Sequence, residues 1–358
     1  MRGRKIAIWV IIGYLAIALF HPFIANDKPI VCKINERLYY PIFDDQPIDL
    51  SASEWKVMAL IPYSASTIDT KASFQPPFKS NHILGTDILG RDTLAGIFKG
   101  TEIAVKIGFI SVFLATFLAL IIGLSVSYLK RFPIRLSRIQ FVIIILSFLF
   151  LVYYSWISMF KGFLFFMVPL LGLLMVNGIL AWLIPHKWKT MNLPIDVFYL
   201  RLVEAMKAIP GLIFVLMCVS LFNEFSVSGL TLILAFLMWP SISRFIRAES
   251  MKILVQDYIT AARAYGASGF RILLRHVLPK LFTSLSVIIA FSISSAIIIE
   301  STLSFIGLGV PIEQVSWGSL LKEAQRNISA WWLAVFPGLA LFILILCLNI
   351  VGEKKVVD

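Results

Sequence analysis

The sequence predicts an all-α polytopic membrane protein, and two observations carry that prediction. First, 59% of the 358 residues are hydrophobic and only 15% are charged, which is more apolar surface than a water-soluble domain can hide. Second, the apolar residues form continuous runs of about 18 or more, long enough to cross a hydrocarbon core of ~30 Å. Because the runs do not alternate with period two, we expect helices and not a membrane β-barrel.

About eight runs satisfy the length criterion for a membrane-spanning helix. They lie at residues 6–24, 102–129, 139–160, 163–184, 205–222, 229–247, 281–300 and 332–351. The first run has a basic start and no A-x-A-type cleavage site after it, so we interpret residues 1–25 as a retained anchor helix. Pro240 interrupts the run at 229–247, where neighbouring helices can satisfy the carbonyl that proline frees.

The basic residues predict how the chain is oriented. The net charge is +12, and in a membrane protein we attribute it to cytoplasmic loops and not to nucleic-acid binding. With an even number of spans, the basic clusters all fall on one side of the membrane. These clusters are Arg2, Arg4 and Lys5; Lys130, Arg131, Arg135 and Arg138; Lys187, Lys189 and Arg201; Arg263, Arg271, Arg275 and Lys280; and Lys354 and Lys355. We therefore expect both termini in the cytoplasm and residues 26–100, whose charges nearly balance, outside it as a small ordered segment.

The sequence offers no recognisable catalytic, metal or nucleotide site. It contains no G-x-x-x-x-G-K-[ST] motif, so we expect no ATP site in this chain. The cysteines Cys32, Cys218 and Cys347 lie too far apart in sequence to predict a disulfide framework or a metal site. Arg91 and Asp92 are better explained as residues that fix the start of the second span than as part of a phosphate-binding loop. We therefore predict a protein that is not an enzyme and holds no cofactor.

One polar stretch stands between two apolar runs and differs from both. Residues 257–280 read DYITAARAYGASGFRILLRHVLPK. Gly266 permits a turn, so we expect two short helices broken near it. Ala261 and Ala262 would let another surface approach the backbone closely, and Pro279 suits the start of the next helix. From these residues alone, a docking site for another protein and a solvated connector remain equally good interpretations.

The same stretch resembles the coupling loop of ABC importer permeases, which contacts the ATPase. The family pattern is Glu-Ala-Ala, three residues, Gly, nine residues, Ile, one residue, Leu-Pro. Here Thr260-Ala261-Ala262 is followed by Gly266, then by His276 and by Leu278-Pro279, so threonine replaces the glutamate and histidine the isoleucine. The sequence RHVLP is similar to the peptide-importing branch of the family.

Other segments resemble the C-type permease subunit of dipeptide and oligopeptide importers. The similar segments are HILGTDILGRDTLAGIFKGTEIAVKIG (82–108), ESTLSFIGLGVPIEQVSWGSLLKEAQ (300–325) and WWLAVFPGLALFILILCLNIVGE (331–353). The sequence IANDKP after the first span is similar to a sub-branch that also takes up the peptide antibiotic microcin C. Residues 133–193 depart from the family pattern, because they add an apparent two-helix insertion.

The resemblance implies a type I ABC importer permease fold in a bacterial inner membrane. Residues 101–353 would form the permease transmembrane domain, with residues 248–280, hereafter the polar loop, as its cytoplasmic coupling loop. The coupling residues carried over are Asp257, Thr260, Ala261, Ala262, Gly266, Ala267, Arg275, His276, Leu278 and Pro279. The implied partners are a second, B-type permease, two subunits that bind ATP, an extracytoplasmic substrate-binding protein and membrane lipid. Di- or oligopeptides, a nickel complex or a peptide antibiotic are the implied substrates.

Glu300 bears on the main alternative function, an ATP-independent secondary transporter or channel. Such proteins carry several ionisable residues inside the membrane, whereas this sequence offers essentially Glu300 alone. This glutamate is either a membrane-embedded functional residue or an interfacial one that is hydrated or caps the following turn, and the sequence favours neither. A membrane enzyme is the remotest class, since no catalytic constellation is present.

Overall fold

The computed structural model describes residues 2–34, 37–43, 54–79, 82–133, 135–158, 170–173, 175, 178–179, 191–221, 226–311 and 314–353. The helices are α1 (Arg2–Ile24), α2 (Thr93–Arg131), α3 (Arg138–Ser158), α4 (Ile195–Ala208), α5 (Gly211–Leu221), α6 (Val227–Leu254), α7 (Asp257–Ala264), α8 (Gly269–Ile272), α9 (Leu278–Ile306), α10 (Trp317–Arg326) and α11 (Trp332–Gly352). The strands are β1 (Val31–Ile34), β2 (Arg37–Tyr39), β3 (Trp55–Val57), β4 (Arg135–Leu136) and β5 (Met191–Asn192).

The predicted class of polytopic helical membrane protein is confirmed. Within the described ranges, five helices are long and apolar enough to cross a membrane, or six if the bent pair α4 and α5 is one span. The span expected at 163–184 falls largely outside the described residues. The two-helix insertion at 133–193 is therefore described only in part, by α3 and by the short pairing of β4 with β5.

The long helix α2 forms the centre of the bundle, and α6 runs parallel to it. Ile103 near the start of α2 shares an apolar cluster with Leu230 near the start of α6. Towards the other end, a Cβ at Gly123 would lie 2.9 Å from the side chain of Ile246. Small residues of this kind let helix backbones approach closely in lipid, where van der Waals packing drives association.

Helices α1 and α9 run antiparallel to α2. His21 in the last turn of α1 lies 3.4 Å from Glu102, early in α2. A Cβ at Gly108 would lie 2.8 Å from Ile297, late in α9. The bundle thus has two distinct ends. The loop end carries the polar loop and the C-termini of α2, α6 and α11. The lobe end carries α10 and the described residues between 25 and 92, which we call the lobe.

The lobe is held to the bundle by contacts with α2 and α11. Its described strands form an antiparallel sheet in the order β2-β1-β3. Directly after α1, Ala25 forms an isolated β-bridge with Ile61. The indole N–H of Trp332 in α11 donates to the carbonyl of Thr86 at 3.0 Å. Asp92 caps α2 by accepting from the backbone N–H of Ala95 at 2.8 Å, which fixes the start of that span as expected.

The region expected to hold one span at 205–222 differs from the prediction. It begins earlier, at Ile195, and consists of α4 and α5 bent by 73° relative to each other. The break falls at Ile209 and Pro210, where the proline lacks the N–H that would continue α4. In the following helix α6, by contrast, a proline does not break the helix: α6 continues through Pro240 and ends at Leu254.

We expect Gly100→Ala to destabilise the bundle by about 1–3 kcal/mol, because overpacking forces buried neighbours to move. A Cβ at Gly100 would lie 2.5 Å from the ring of Trp317, which is itself fully buried. Thermal unfolding in detergent measures the effect. Gly338→Ala in α11 is the matched control, since nothing lies within 4 Å of its Cβ position. Equal melting temperatures for the two variants would contradict this account of the packing.

Candidate functional site

The polar loop folds as two short helical segments joined by a tight turn at Gly266. Helix α7 ends when the N–H of Tyr265 bonds the carbonyl of Ala261 at 3.1 Å and that of Ala267 bonds the carbonyl of Ala262 at 3.1 Å. Gly266 itself has φ +83°, a left-handed conformation that glycine adopts without strain. Ser268 then caps α8, accepting from the N–H of Arg271. The break expected near Gly266 is therefore what the structure shows.

Apolar side chains anchor the polar loop to the bundle. Ile259, Ile272 and Val277 are buried and belong to one cluster with residues of α2, α4 and α6. Gly269 lies so close to α2 that a Cβ there would be 2.6 Å from the ring of Tyr128. A displacement of the loop therefore has to move these helices as well, because close-packed interiors transmit strain.

The opposite side of the loop is exposed and is formed mostly by small residues around one aromatic. Tyr265 is 93% exposed, and Thr260, Ala261, Ala264 and Gly266 beside it are also exposed. A large exposed aromatic surrounded by small residues is typical of a protein interface. Nothing lies within 4 Å of a Cβ at Gly266, so another protein could come close to the backbone at this turn.

The ten residues carried over from the family pattern divide into an exposed and a half-buried set. Asp257, Thr260, Ala261, Gly266, Arg275 and Pro279 are exposed, whereas Ala262, Ala267, His276 and Leu278 are half-buried. The ring of His276 lies 6.2 Å from that of Tyr258 in α7. The Nζ of Lys280 donates to Gln256 Oε1 at 2.6 Å. These contacts join the start of α7 to the start of α9.

Pro279 lies in the first turn of α9, as expected, but no break precedes this helix. Helical structure is continuous from α8 into α9 through a π-helical turn at Leu273–Val277. In an ordinary α-helix, proline loses one hydrogen bond and clashes with the carbonyl four residues earlier. We attribute the accommodation of Pro279 to the wider π-turn, a feature that often marks functional sites.

An ion cluster at the loop end joins three helices close to the polar loop. Asp196 in α4 accepts from Lys130 Nζ at 2.8 Å and also pairs with Arg247 of α6. Ser284 of α9 donates to Glu249 of α6 at 3.0 Å. Sequence reasoning missed this cluster, since the three partners lie far apart in the chain. It also missed the exposure of Tyr265, although the following glycine is a signal that α7 ends there.

Glu300 is fully buried near the lobe end of α9. Its carboxylate accepts from Ser304 Oγ at 2.9 Å and from Ser301 Oγ at 3.2 Å. A hydrated interfacial carboxylate is therefore not what the structure shows. The same Ser304 receives the N–H of Val310 at 3.4 Å, so Glu300 supports the turn that follows α9 through this serine.

A second carboxylate cluster joins the lobe to α10. Arg91 donates to Asp87 at 2.5 Å and to Glu323 at 2.7 Å. The pKa of Glu323 is raised to about 7, mainly by burial and then by the nearby Asp87 carboxylate, while the Arg91 guanidinium opposes the shift. Two acids sharing one guanidinium hold a proton more readily than an isolated acid does.

The raised pKa of Glu323 makes a testable pH dependence. The folded chain binds this proton more tightly than the unfolded chain, so the group's contribution to the free energy of unfolding falls as pH rises from about 5 to 7. We expect Glu323→Gln to flatten that slope, because glutamine cannot titrate and can still accept from Arg91. Thermal unfolding of both proteins in detergent across this range measures it. A slope unchanged by the substitution would show that other groups cause it.

The bend between α4 and α5 opens a cavity of about 430 Å³ against α6. Its lining is mainly apolar and includes the stacked rings of Phe214 and Phe236, with Lys207 and Ser241 as polar members. Within the described residues, no group of three or more His, Cys, Asp or Glu side chains forms a metal site.

Comparison with known proteins identifies relatives along most of the chain. A peptide transport system permease protein, so named in Brucella suis, is 28% identical over 281 residues, which cover 78% of this chain and 73% of the relative. The glutathione transport system permease protein of Pectobacterium atrosepticum is 25% identical over 82% of this chain and 77% of its own length. A peptide permease protein, so named in Brucella ovis, is 33% identical over a shorter stretch, 44% of this chain and 53% of the relative.

The family profile described as binding-protein-dependent transport system inner membrane component matches residues 189–353. That range contains the bent pair α4 and α5, the helix α6, the whole polar loop and the three helices α9, α10 and α11. The match and the helical membrane architecture agree with the resemblance drawn from the motifs. Residues 189–353 are thus similar to the inner membrane components of binding-protein-dependent transport systems.

Proposed function

We propose that the chain is the permease subunit of an ATP-driven importer of peptides. The observation that carries this proposal is the polar loop, which exposes a small-residue turn on one side and is built into the helical bundle on the other. The names of the relatives support peptides as the substrate class. In this proposal the chain forms half of the passage, and separate subunits bind and hydrolyse ATP.

The loop end provides the surface on which the ATP-binding subunits dock. Tyr265 is the natural central contact, since a fully exposed tyrosine offers a large contact area at a small loss of conformational freedom. Arg271 and Arg275 are exposed beside it and would form a basic rim. Because Ile272 and Val277 are buried among α2 and α6, a movement of the docked subunit passes directly to these helices.

The basic residues support placing the loop end in the cytoplasm. Arg4, Lys130, Arg247 and Arg263 all lie at that end of the described helices, as the positive-inside tendency requires. An extracytoplasmic binding protein would then meet the lobe end, where α10 and the turn after α9 lie. The profile match and the apolar helices support multi-pass insertion in the inner membrane, and the cytoplasmic location of both termini is part of this proposal.

The bend between α4 and α5 is the best candidate for the surface that faces the second permease and the substrate. The large apolar side chains of Leu202, Ile213 and Met217 are exposed along it, and the adjoining cavity holds about 430 Å³. Contact surfaces of this kind at broken helices are where membrane transporters place substrates. A largely apolar lining suits peptides of varied sequence.

Affinity purification of the tagged chain in mild detergent, followed by mass spectrometry, tests this proposal. We expect recovery of two ATP-binding subunits, or two copies of one, together with a second permease. The matched control is the same chain with the polar loop residues 257–268 replaced by a glycine-serine linker of equal length, which should retain the permease and lose the ATP-binding subunits. A chain that purifies reproducibly alone would contradict the importer assignment.

A further inference from the structure

One face of the lobe's sheet is exposed and mostly apolar, with Lys33 as its basic member, ion-paired with Glu54. In the antiparallel register, Lys33 pairs with Leu38 on one side and with Trp55 on the other, and Val31 pairs with Val57. Directly paired residues point to the same face of a sheet. Leu38, Trp55 and Val57 are therefore on one face, and all are between 45% and 54% exposed. Tyr40, two residues after Leu38, extends this face with 52% exposure.

The opposite face of the sheet has a different character. Arg37 and Lys56 lie there, and both are exposed, whereas Cys32 on that face is completely buried. The first face thus carries Leu38, Tyr40, Trp55 and Val57 around Lys33, whereas Arg37, Tyr39 and Lys56 lie on the other face. We call Leu38, Tyr40, Trp55 and Val57 the aromatic face.

The sheet follows the end of α1, where that helix is expected to leave the hydrocarbon core. The apolar span of α1 covers the 22 residues Gly3–Ile24, which at 1.5 Å per residue spans about 33 Å and matches a ~30 Å core. Phe23 in its last turn packs edge-on against Phe43, with ring centroids 5.9 Å apart. Phe43 is 75% exposed and lies three residues after Tyr40, within about 10 Å of it.

We propose that the aromatic face lies in the boundary between headgroups and hydrocarbon on the lobe side of the membrane and binds lipid there. Tyrosine and tryptophan favour this boundary because they combine an apolar ring with a polar group. The surface is continuous with that of α1, whose most apolar stretch is only 6% buried within the chain. Phe20 and Phe43 join the two surfaces around Phe23. This lipid contact would fix the tilt and depth of α1 and the position of the lobe.

Site-specific fluorescence tests the proposal on the full chain. Val57→Cys and Leu38→Cys place a label on the aromatic face, and Lys56→Cys is the matched control on the opposite face of the same strand. The background has Cys218 replaced by serine, since Cys32 and Cys347 are buried. Each chain carries an environment-sensitive probe and is reconstituted in nanodiscs of phosphatidylethanolamine and phosphatidylglycerol, with and without a lipid that bears a nitroxide at the headgroup boundary.

We expect labels at positions 38 and 57 to emit at shorter wavelength and to lose about half of their emission to the nitroxide lipid, as buried interfacial groups do. The label at position 56 should remain accessible to aqueous iodide. Labels at 38 and 57 that are quenched by iodide would overturn the proposal. So would labels shielded from both quenchers, since that result shows a protein covering the face. As a check without labels, Trp55→Phe should lower the fraction of tryptophan emission quenched by brominated lipid.

Discussion

Gly266→Asp is expected to abolish co-purification of the ATP-binding subunits while leaving membrane insertion intact. Gly266 occupies the exposed turn of the polar loop with φ +83°, where any other side chain would stand in the way of a docked surface. Nothing in the chain lies within 4 Å of its Cβ position, so the substitution disturbs no internal packing. The measurement is the ratio of ATP-binding subunit to tagged chain after purification, and we expect a loss of at least about tenfold for a contact costing more than 1.4 kcal/mol.

A matched variant separates the shape of the turn from its charge. Ser268→Asp adds the same charge two residues away at another exposed position, and aspartate caps α8 as well as serine does. We expect this variant to keep its ATP-binding subunits. Loss in both variants would mean that negative charge alone weakens the interface, and normal co-purification of Gly266→Asp would contradict docking at this turn.

Glu300→Leu is expected to cause the largest loss of stability among single substitutions near the lobe end. Removal of the carboxylate leaves the buried hydroxyls of Ser301 and Ser304 without their acceptor, and each unmet buried donor costs about 1–3 kcal/mol. The turn after α9 then loses the support that Ser304 gives it. Thermal unfolding in detergent measures the loss.

Glu300→Gln is the conservative comparison for that substitution. Its amide oxygen can still accept from Ser304, so we expect a melting temperature close to that of the parent. If the leucine variant is as stable as the glutamine variant, the serine contacts do not depend on the carboxylate. If both variants are stable yet transport fails in both, Glu300 acts in transport itself and not through the turn.

The parts of this structure that follow from local sequence could be predicted, and those that depend on distant contacts could not. The span of α1, the cap at Asp92 and the turn at Gly266 rest on hydropathy, capping and backbone freedom within a few residues. By contrast, Asp196 finds Lys130 and Arg247 only after α2, α4 and α6 have packed. Whether a proline breaks a helix also depends on its neighbours, as Pro210 and Pro240 show with opposite outcomes.

The candidate site shows the same division. The loop pattern identified Ala261, Ala262 and Gly266 because close approach to a backbone requires small residues, whatever the rest of the fold. It did not reveal that Ile272 and Val277 are buried in the bundle, or that a π-turn carries the helix past Pro279. These features connect the exposed turn to the helices, and they emerge only from the packing of the bundle around α2.

Uptake of peptide into proteoliposomes tests the central claim most directly. The chain is reconstituted with the subunits that co-purify with it, ATP is enclosed at the side of the loop end, and an isotope-labelled mixture of dipeptides is offered with the extracytoplasmic binding protein at the other side. The account predicts accumulation that requires ATP, stops with a non-hydrolysable analogue and is absent for Gly266→Asp. Accumulation by the chain alone, without ATP and driven by an ion gradient, would contradict it and identify a secondary transporter.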